Sequence, residues 1–301
     1  MSTMLNTNVA IAAALSAVLL TSCGHDDVAR LDEDSLWVDS VFTIEADGKV
    51  SDHKVFFRDE AGHDTLMVFS SCGREVGRRR SLFDSLGRVV RELVEAPDYT
   101  METVYTLRPD GKPASFVYSG PEGRSRAVLD YDTAGRLTRQ AAWPLDGGLG
   151  DTLVTTRDYD AAGREVESVD YDGGEPTVKI VKVYDAAGHK VGARLHVWDS
   201  GAWRLTSSEV NEFDDIGRQV RSTQCADDVV TLTETLYDEA GSVAAEVVSA
   251  QDGVGGPWQR LSATEFSYAP LRKTAVSYSY SGGCQRRFMS RTETFYRRRR
   301  E

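Results

Sequence analysis

One short pattern, Asp-x-x-Gly, returns along this 301-residue chain at intervals close to 25 residues. Seven clear copies occur, at 58–63, 83–88, 131–136, 159–164, 184–189, 213–218 and 237–242. A weaker copy at 107–112 fills the single double-length gap, so eight units run from about residue 52 to about residue 250. A fixed period of this length is typical of repeat proteins, in which each unit packs on its neighbours.

The pattern has a local explanation as a tight turn. Asp at the first position of a type I turn accepts backbone N–H bonds, and Gly at the fourth adopts positive φ without steric cost. A type I turn followed by a left-handed Gly joins the strands of a β-hairpin through a G1 bulge. We therefore predict a structural turn role, without chemistry, for twelve residues: Asp84, Gly87, Asp132, Gly135, Asp160, Gly163, Asp185, Gly188, Asp214, Gly217, Asp238 and Gly241.

The segments between the turns have the composition of β-strands. LVTTRDYD (153–160), TVKIVKVYD (177–185) and VTLTETLYD (230–238) are rich in β-branched and aromatic residues and alternate in part. Outside the N-terminal segment, no run of twelve residues has the apolar spacing of an amphipathic helix. The predicted fold is all-β: an elongated, twisted antiparallel sheet of repeated β-hairpins, with unpaired edges.

The sequence Tyr-Asp-x-x-Gly-Arg followed by an apolar strand resembles the YD repeat, or Rhs-type repeat, of large bacterial toxin shells and teneurins. The resemblance covers about two thirds of the chain. It implies long curved antiparallel sheets, which in the large proteins spiral into a hollow shell around a toxin. About eight repeats are present here, without the shell's core-associated motif or a toxin after it, so we expect an open sheet rather than a closed shell.

The first 22 residues have the features of a signal peptide. Val9–Leu20 is a twelve-residue apolar run, too short to span a bilayer. LTSCG (20–24) resembles the lipobox of bacterial lipoproteins, although the residues before Val9 include no Lys or Arg. The resemblance implies cleavage before Cys23 and acylation of Cys23 with fatty acids such as palmitate, which tether a protein to a membrane. The alternative is a buried helix with an incidental Cys.

The acidic segment 23–35 resembles the patch that follows the lipidated Cys in surface lipoproteins of Bacteroidetes. It implies an outer-membrane lipoprotein at the cell surface; a solvated acidic linker, with the protein on the periplasmic face, is the alternative. The rest of the chain divides into a repeat array with N-terminal cap strands (36–265) and C-terminal cap strands with a basic tail (266–301).

No sequence pattern predicts catalysis, a metal or a cofactor. His63 and His189 follow the turn Gly at a position that is usually Arg, which favours a turn-flanking role. The loop 170–175 is acidic but lacks the spacing of a calcium-binding loop. Without Cys23, an odd number of cysteines remains (Cys72, Cys225 and Cys284), so at most one disulfide can form. The net charge of −12 argues against a nucleic-acid partner.

We therefore predict a lipid-anchored, non-catalytic scaffold or adhesion surface for a glycan or protein partner. Four tryptophans are candidates for stacking on sugars, with hydrophobic plugs between hairpins as the alternative: Trp143, Trp198, Trp203 and Trp258. The arginine runs 78–80 and 297–300 are typical of strand ends or tails, with acidic glycans or lipid headgroups as alternative partners. A shortened Rhs-type component of a toxin or secretion system, and a hydrolase on an all-β scaffold, stay open.

Overall fold

The computed structural model describes residues 36–146, 152–226, 228–253, 255–269, 271–281 and 285–298. The predicted all-β class is confirmed, because these ranges form twenty strands and contain no helix, hence none long and apolar enough to cross a bilayer. The signal peptide, Cys23, the acidic segment up to residue 35 and Cys284 lie outside the described residues.

The strands follow one another along the chain with short connections. Their bounds are β1 (Leu36–Glu45), β2 (Val50–Arg58), β3 (Asp64–Ser71), β4 (Arg74–Phe83), β5 (Val89–Ala96), β6 (Tyr99–Leu107), β7 (Pro113–Gly120), β8 (Gly123–Tyr131), β9 (Leu137–Pro144), β10 (Leu153–Tyr159), β11 (Glu165–Asp172), β12 (Glu175–Tyr184), β13 (Lys190–Asp199), β14 (Ala202–Phe213), β15 (Gln219–Ala226), β16 (Val229–Tyr237), β17 (Val243–Asp252), β18 (Gln259–Ala269), β19 (Arg272–Ser281) and β20 (Gln285–Arg298).

The sheet is a closed barrel. Each strand pairs antiparallel with the strands before and after it, and β1 also pairs with β20, from Leu36 opposite Arg298 to Glu45 opposite Ser290. The predicted open, elongated sheet is therefore wrong. An open sheet would leave the N–H and C=O groups of β1 and β20 unpaired, whereas here each strand satisfies the backbone groups of the other.

Repeated bulges supply the curvature that closure needs. The ladder register shifts just before each repeat turn, for example between Asp158 and Tyr159 and between Leu236 and Tyr237. The same shift occurs at the other six repeat turns. A bulge bends its strand and increases the local twist. One bulge in every second strand from β2 to β16 therefore turns the sheet back on itself.

The connections lie at two opposite ends of the barrel. The eight repeat turns, from β2–β3 to β16–β17, share one end with Leu36 and Arg298; we call this end rim A. The connections β1–β2, β3–β4 and so on to β19–β20 lie at the other end, rim B. Most strands have eight to ten residues, within a full range of seven to fourteen, so about 26–33 Å of strand separates the two rims.

Side chains alternate between two walls. On β8, Ala127 and Leu129 are buried, whereas Arg126 and Asp130 are exposed. Side chains converge on the concave side of a barrel, so we assign the buried set to the inner wall. Its core cluster is Phe116, Ala127, Leu129 and Ala142, with Tyr105, Tyr131 and Leu137 packed against it. The core is small because barrels of about sixteen strands already leave an aqueous channel.

Candidate functional site

The outer wall carries charged pairs that join neighbouring strands. Arg139 Nη1 lies 3.2 Å from Asp130 Oδ2, and both side chains are about half exposed. Similar pairs lie elsewhere on the outer wall: Arg91 with Glu102, Arg80 with Glu95, and Arg221 with Glu212 and Glu234. The lipid-facing wall of a membrane barrel is instead an apolar band about 25 Å tall. The outer wall of this barrel departs from such a band at these pairs, although Leu82 and Val104, which flank Arg91, are exposed apolar side chains on the same wall.

The inner wall also holds charges, and opposite charges lie beside one another. Glu165 is 2.8 Å from Lys182 Nζ and 3.5 Å from Arg157 Nε, across β10, β11 and β12. Lys190 Nζ lies 3.1 Å from Glu209 on β14. Such pairs satisfy groups that water reaches only in part, so they hold neighbouring strands in register.

Rim A carries a repeated set of contacts that we call the rim ladder. In the turn after β10, Asp160 Oδ1 accepts bonds from the backbone N–H groups of Ala162 and Arg164, both at 2.9 Å. Asp160 Oδ2 accepts a bond from Arg164 Nε at 2.7 Å. The Arg164 guanidinium lies 4.7 Å from the centre of the Tyr184 ring, and the Tyr184 hydroxyl donates to the carbonyl oxygen of Glu165 at 2.9 Å. Each turn is thereby bound to the next hairpin.

The same step recurs around rim A. Arg136 lies 4.8 Å from the ring of Tyr159, and Arg218 lies 4.3 Å from that of Tyr237. The six predicted glycines have φ between +73° and +98°. At Gly163 a Cβ would lie 3.3 Å from Nη1 of Arg136, the cation of the preceding turn. Glycine is thus required twice over, by its backbone angle and by the side chain that rests above it.

The two predicted turn-flanking histidines are steps of the rim ladder. His63 Nδ1 lies 2.9 Å from Asp59 Oδ2, and the imidazole stacks on Phe83 at 4.7 Å between ring centres. His189 repeats this arrangement, 3.0 Å from Asp185 and 4.6 Å from the Phe213 ring. Each Asp–His pair therefore replaces the Asp–Arg pair found in other repeat turns. The imidazole of each pair stacks on a Phe ring of the next hairpin.

The ladder bonds shift the titration of the turn aspartates. A hydrogen bond from the Arg88 side chain lowers the pKa of Asp84, and bonds from the backbone N–H and side chain of Arg164 lower that of Asp160. The pKa of Asp214 is lowered too, although burial opposes the bonds from Arg218. In contrast, burial and a hydrogen bond to Glu92 raise the pKa of Tyr105 on the inner wall.

The remaining sequence candidates do not converge on a metal or redox site. Within the described ranges, no three His, Cys, Asp or Glu side chains form a metal-binding group. Residues 170–175 make the β11–β12 hairpin, and Asp170 accepts a bond from the Thr155 hydroxyl at 2.6 Å. Cys72 is exposed, Cys225 is half-buried, and both are free thiols.

The four candidate tryptophans all lie at rim B. Trp143 is near the end of β9, and Trp198 and Trp203 face each other across the β13–β14 turn with ring centres 5.1 Å apart. Lys179 Nζ lies 4.7 Å from the Trp203 ring. Trp258 immediately precedes β18 and is 46% exposed. The topology therefore collects at one end side chains that are far apart in sequence.

A second feature of rim B is a group that we call the arginine–tyrosine surface: Arg260, Glu265, Tyr278, Tyr280 and Arg286. The Arg260 guanidinium lies 5.4 Å from the Tyr280 ring centre. The Arg286 guanidinium lies 3.3 Å from that of Tyr278 and 2.6 Å from Glu265 Oε1. No motif predicts this surface, but charge does: residues 259–298 hold eight Lys and Arg and two acidic residues, in a chain of net charge −12.

These features define the class of protein as a closed, twenty-stranded antiparallel barrel of hairpins, with a ladder at one rim and charged pairs on its outer wall. No family model matches the sequence. No curated protein matches it either.

Two solved structures are similar to this chain, with low sequence identity and low TM-scores. A porin-like protein from Bacteroides uniformis is 11% identical, with a TM-score of 0.36, over 87% of this chain and 96% of that one. A chain of the TcdB2-TccC3-Cdc42 structure is 11% identical, with a TM-score of 0.25, over 83% of this chain and 20% of that one. Neither similarity carries an argument about function.

Proposed function

We propose that this protein is a lipid-anchored barrel of the cell envelope that presents a non-catalytic, glycan-binding surface at rim B. The observation that carries the proposal is the opposition of the two rims. The chain enters the barrel at rim A, with Leu36, whereas the candidate tryptophans lie at rim B. An anchor on Cys23 would attach the barrel through rim A, so rim B is the end farthest from the point of attachment.

Attachment through an acyl chain suits the outer wall. Charged pairs on the outer wall, such as Arg91–Glu102 within β5 and β6, favour a barrel that stands in water. The 12 residues between Cys23 and Leu36 give 13 Cα-to-Cα steps, which reach at most about 45 Å when extended. The lipobox and acidic segment support an outer-membrane lipoprotein at the cell surface, with the periplasmic face as the alternative.

Rim B carries aromatic side chains that are suited to binding sugars. An indole ring presents a flat apolar face that can cover the C–H face of a sugar ring, and its N–H can donate a bond. Trp258 is the most open candidate at 46% exposure. Trp198 and Trp203 also stabilise their own hairpin by edge-to-face packing. We therefore expect Trp258 to contribute the larger share of glycan contact.

The anchoring half is tested by replacing Cys23 with Ala in the full chain. We expect the parent protein to incorporate radiolabelled palmitate and to sediment with membranes, and C23A to do neither. A C23A protein that still sediments with membranes would contradict the anchor.

The binding half is tested with the mature chain on a broad glycan panel. We expect Trp258→Ala to weaken glycan binding. Ile216 is an even more open apolar residue (75% exposed) on a rim A turn, so Ile216→Ala should leave binding unchanged. Retention of no glycan, or equal binding by both variants, would refute this half. Capture of an envelope protein instead would assign rim B to a protein partner.

Closure of the sheet favours a second candidate, a shortened Rhs-type component that encloses a polypeptide segment. The inner wall would then contact that segment through side chains that keep some exposed surface, such as Lys182 and Glu165. A peptide that co-purifies with the barrel and resists protease until the barrel is unfolded would support this function, and a barrel that co-purifies with no peptide would contradict it.

A further inference from the structure

We propose that the arginine–tyrosine surface at rim B is the binding site, and that its ligand is an acidic polysaccharide carrying carboxylate or sulfate groups. This inference rests on the proposed glycan-binding function and gives it a location and a ligand class. Its five residues come from three adjacent strands, β18, β19 and β20.

The charge of this wall segment differs from that of the rest of the chain. Residues 259–298 carry a clear excess of Lys and Arg, although the whole chain has a net charge of −12. Arg260 and Arg286 are both exposed. Within the described ranges, Arg286 pairs with Glu265, and Arg260 has no ion-pair partner. An anion can therefore bind Arg260 without first displacing a carboxylate.

Stacking prepares the two guanidinium groups for planar acidic groups. Arg260 lies over Tyr280, and Arg286 lies over Tyr278. Contact with a ring occupies one face of a guanidinium and leaves its N–H edge available to donate, although at Arg286 one N–H group of that edge already donates to Glu265. That edge matches the two oxygens of a carboxylate or sulfate in a bidentate contact. Because the side chains are already held, less rotamer entropy is lost when a ligand binds.

An apolar platform for the sugar ring lies beside the cations. Trp258 precedes Arg260 by two residues, and Met289 on β20 is 49% exposed. Two residues of chain span at most about 7 Å, which a single sugar ring with its acidic substituent can bridge. Stacking of the ring on Trp258 and pairing of the acidic group with Arg260 are thus possible for the same sugar residue.

The surroundings favour a polysaccharide over other polyanions. The rest of the chain is more acidic than the chain as a whole, so it repels a nucleic acid that needs a long phosphate-binding track. An anionic lipid surface is disfavoured by position, because the surface lies at rim B and an anchor on Cys23 leads from rim A. A flexible acidic glycan can reach rim B from outside and needs only this small patch.

The test uses calorimetric titration of the mature chain with four probes: polygalacturonate, heparin, neutral dextran, and a single-stranded oligonucleotide matched in charge to heparin. We expect one or both acidic polysaccharides to bind, and the binding to weaken as salt rises. Arg260→Gln and Arg286→Gln should each weaken binding by about tenfold, the value for one lost charge-assisted contact.

Two further variants separate charge from geometry. Arg260→Lys keeps the charge but loses the planar fork, so we expect its affinity to lie between those of the parent and R260Q. Arg139→Gln removes an exposed arginine from the outer wall of β9, and its affinity should equal that of the parent. Thermal unfolding of each variant shows that the barrel is intact.

Each outcome supports or overturns a stated part. Acidic polysaccharide binding that R260Q and R286Q leave intact would overturn the location. Binding of neutral glycans alone would overturn the ligand class while the proposed function stands. Preference for the oligonucleotide would overturn the assignment to a polysaccharide. Binding of no glycan, on the broad panel as well, would overturn the proposed function and this inference together.

Discussion

Replacing Gly163 by Val tests two contributions to one step of the rim ladder, the left-handed backbone of the turn and the contact with Arg136. Gly163 has φ +83°, and an L-residue in the left-handed region costs about 1–2 kcal/mol. A Cβ at this position would lie 3.3 Å from Arg136 Nη1, so the guanidinium has to move. Its stacking on Tyr159, worth about 0.5–1 kcal/mol at an exposed site, is then lost. The expected loss of unfolding free energy is about 1.5–3 kcal/mol.

A matched control separates backbone strain from ladder contact. Gly174, in the β11–β12 turn, has φ +92°, and a Cβ there meets no atom of the described residues within 4 Å. Gly174→Val should therefore cost the strain alone, about 1–2 kcal/mol. Urea unfolding followed by far-ultraviolet circular dichroism measures both variants. Equal losses would refute the ladder contact, and a Gly163→Val protein of unchanged stability would refute the left-handed turn itself.

Three other predictions concern the ladder and the seam of the barrel. Six turn aspartates have lowered pKa values in the folded protein: Asp59, Asp84, Asp132, Asp160, Asp185 and Asp214. The stability that they add is therefore present above about pH 4, their ordinary pKa, and is lost as pH falls through the folded pKa. We expect a urea midpoint that is constant from pH 5 to 7 and falls at lower pH, and an unchanged midpoint at pH 3 would contradict this. Ser242→Arg supplies the arginine that the turn of Asp238 lacks beside Tyr268, whose ring otherwise has only the more distant Lys273 Nζ, 5.8 Å from its centre, among the cations of the described residues, and should raise the unfolding free energy by about 0.5–1 kcal/mol; an unchanged or lower value would show that Lys273 already suffices at this step. Val41 and Thr294 face each other across the β1–β20 seam, so Cys at both positions should form a disulfide seen by peptide mass spectrometry, whereas an open sheet would leave both thiols free.

The turns could be predicted because their determinants are local. Asp160 and Gly163 act within five residues, through backbone bonds that any chain of that sequence can make. Closure could not be predicted in this way. It depends on pairing between β1 and β20, which are at opposite ends of the chain, and on curvature that accumulates over eight bulges. Each bulge is visible in its own Asp-x-x-Gly copy, but their sum is a property of the whole sheet.

The candidate site also has a part that the sequence predicts and a part that it does not. Trp198 and Trp258 could be selected one by one as large aromatic residues near turns. That they share a rim follows only from the antiparallel order, which returns every second connection to the same end. The contacts of Arg260 with Tyr280 join residues from two strands, so no local motif contains them. Acylation of Cys23 and the role of the acidic segment stay predictions from sequence.

The seam between β1 and β20 has a consequence for how such a chain can evolve. Neighbouring strands are joined there by pairing and by no turn, while every other neighbour is joined in sequence. Duplication of one 25-residue unit adds two strands, so the new last strand still runs antiparallel to β1 and can pair with it. The number of strands in the barrel can therefore change by one hairpin at a time, while both chain ends stay at rim A. The near-identical YDAAGR at 159–164 and YDAAGH at 184–189, one unit apart, are what a copying step of this kind leaves behind.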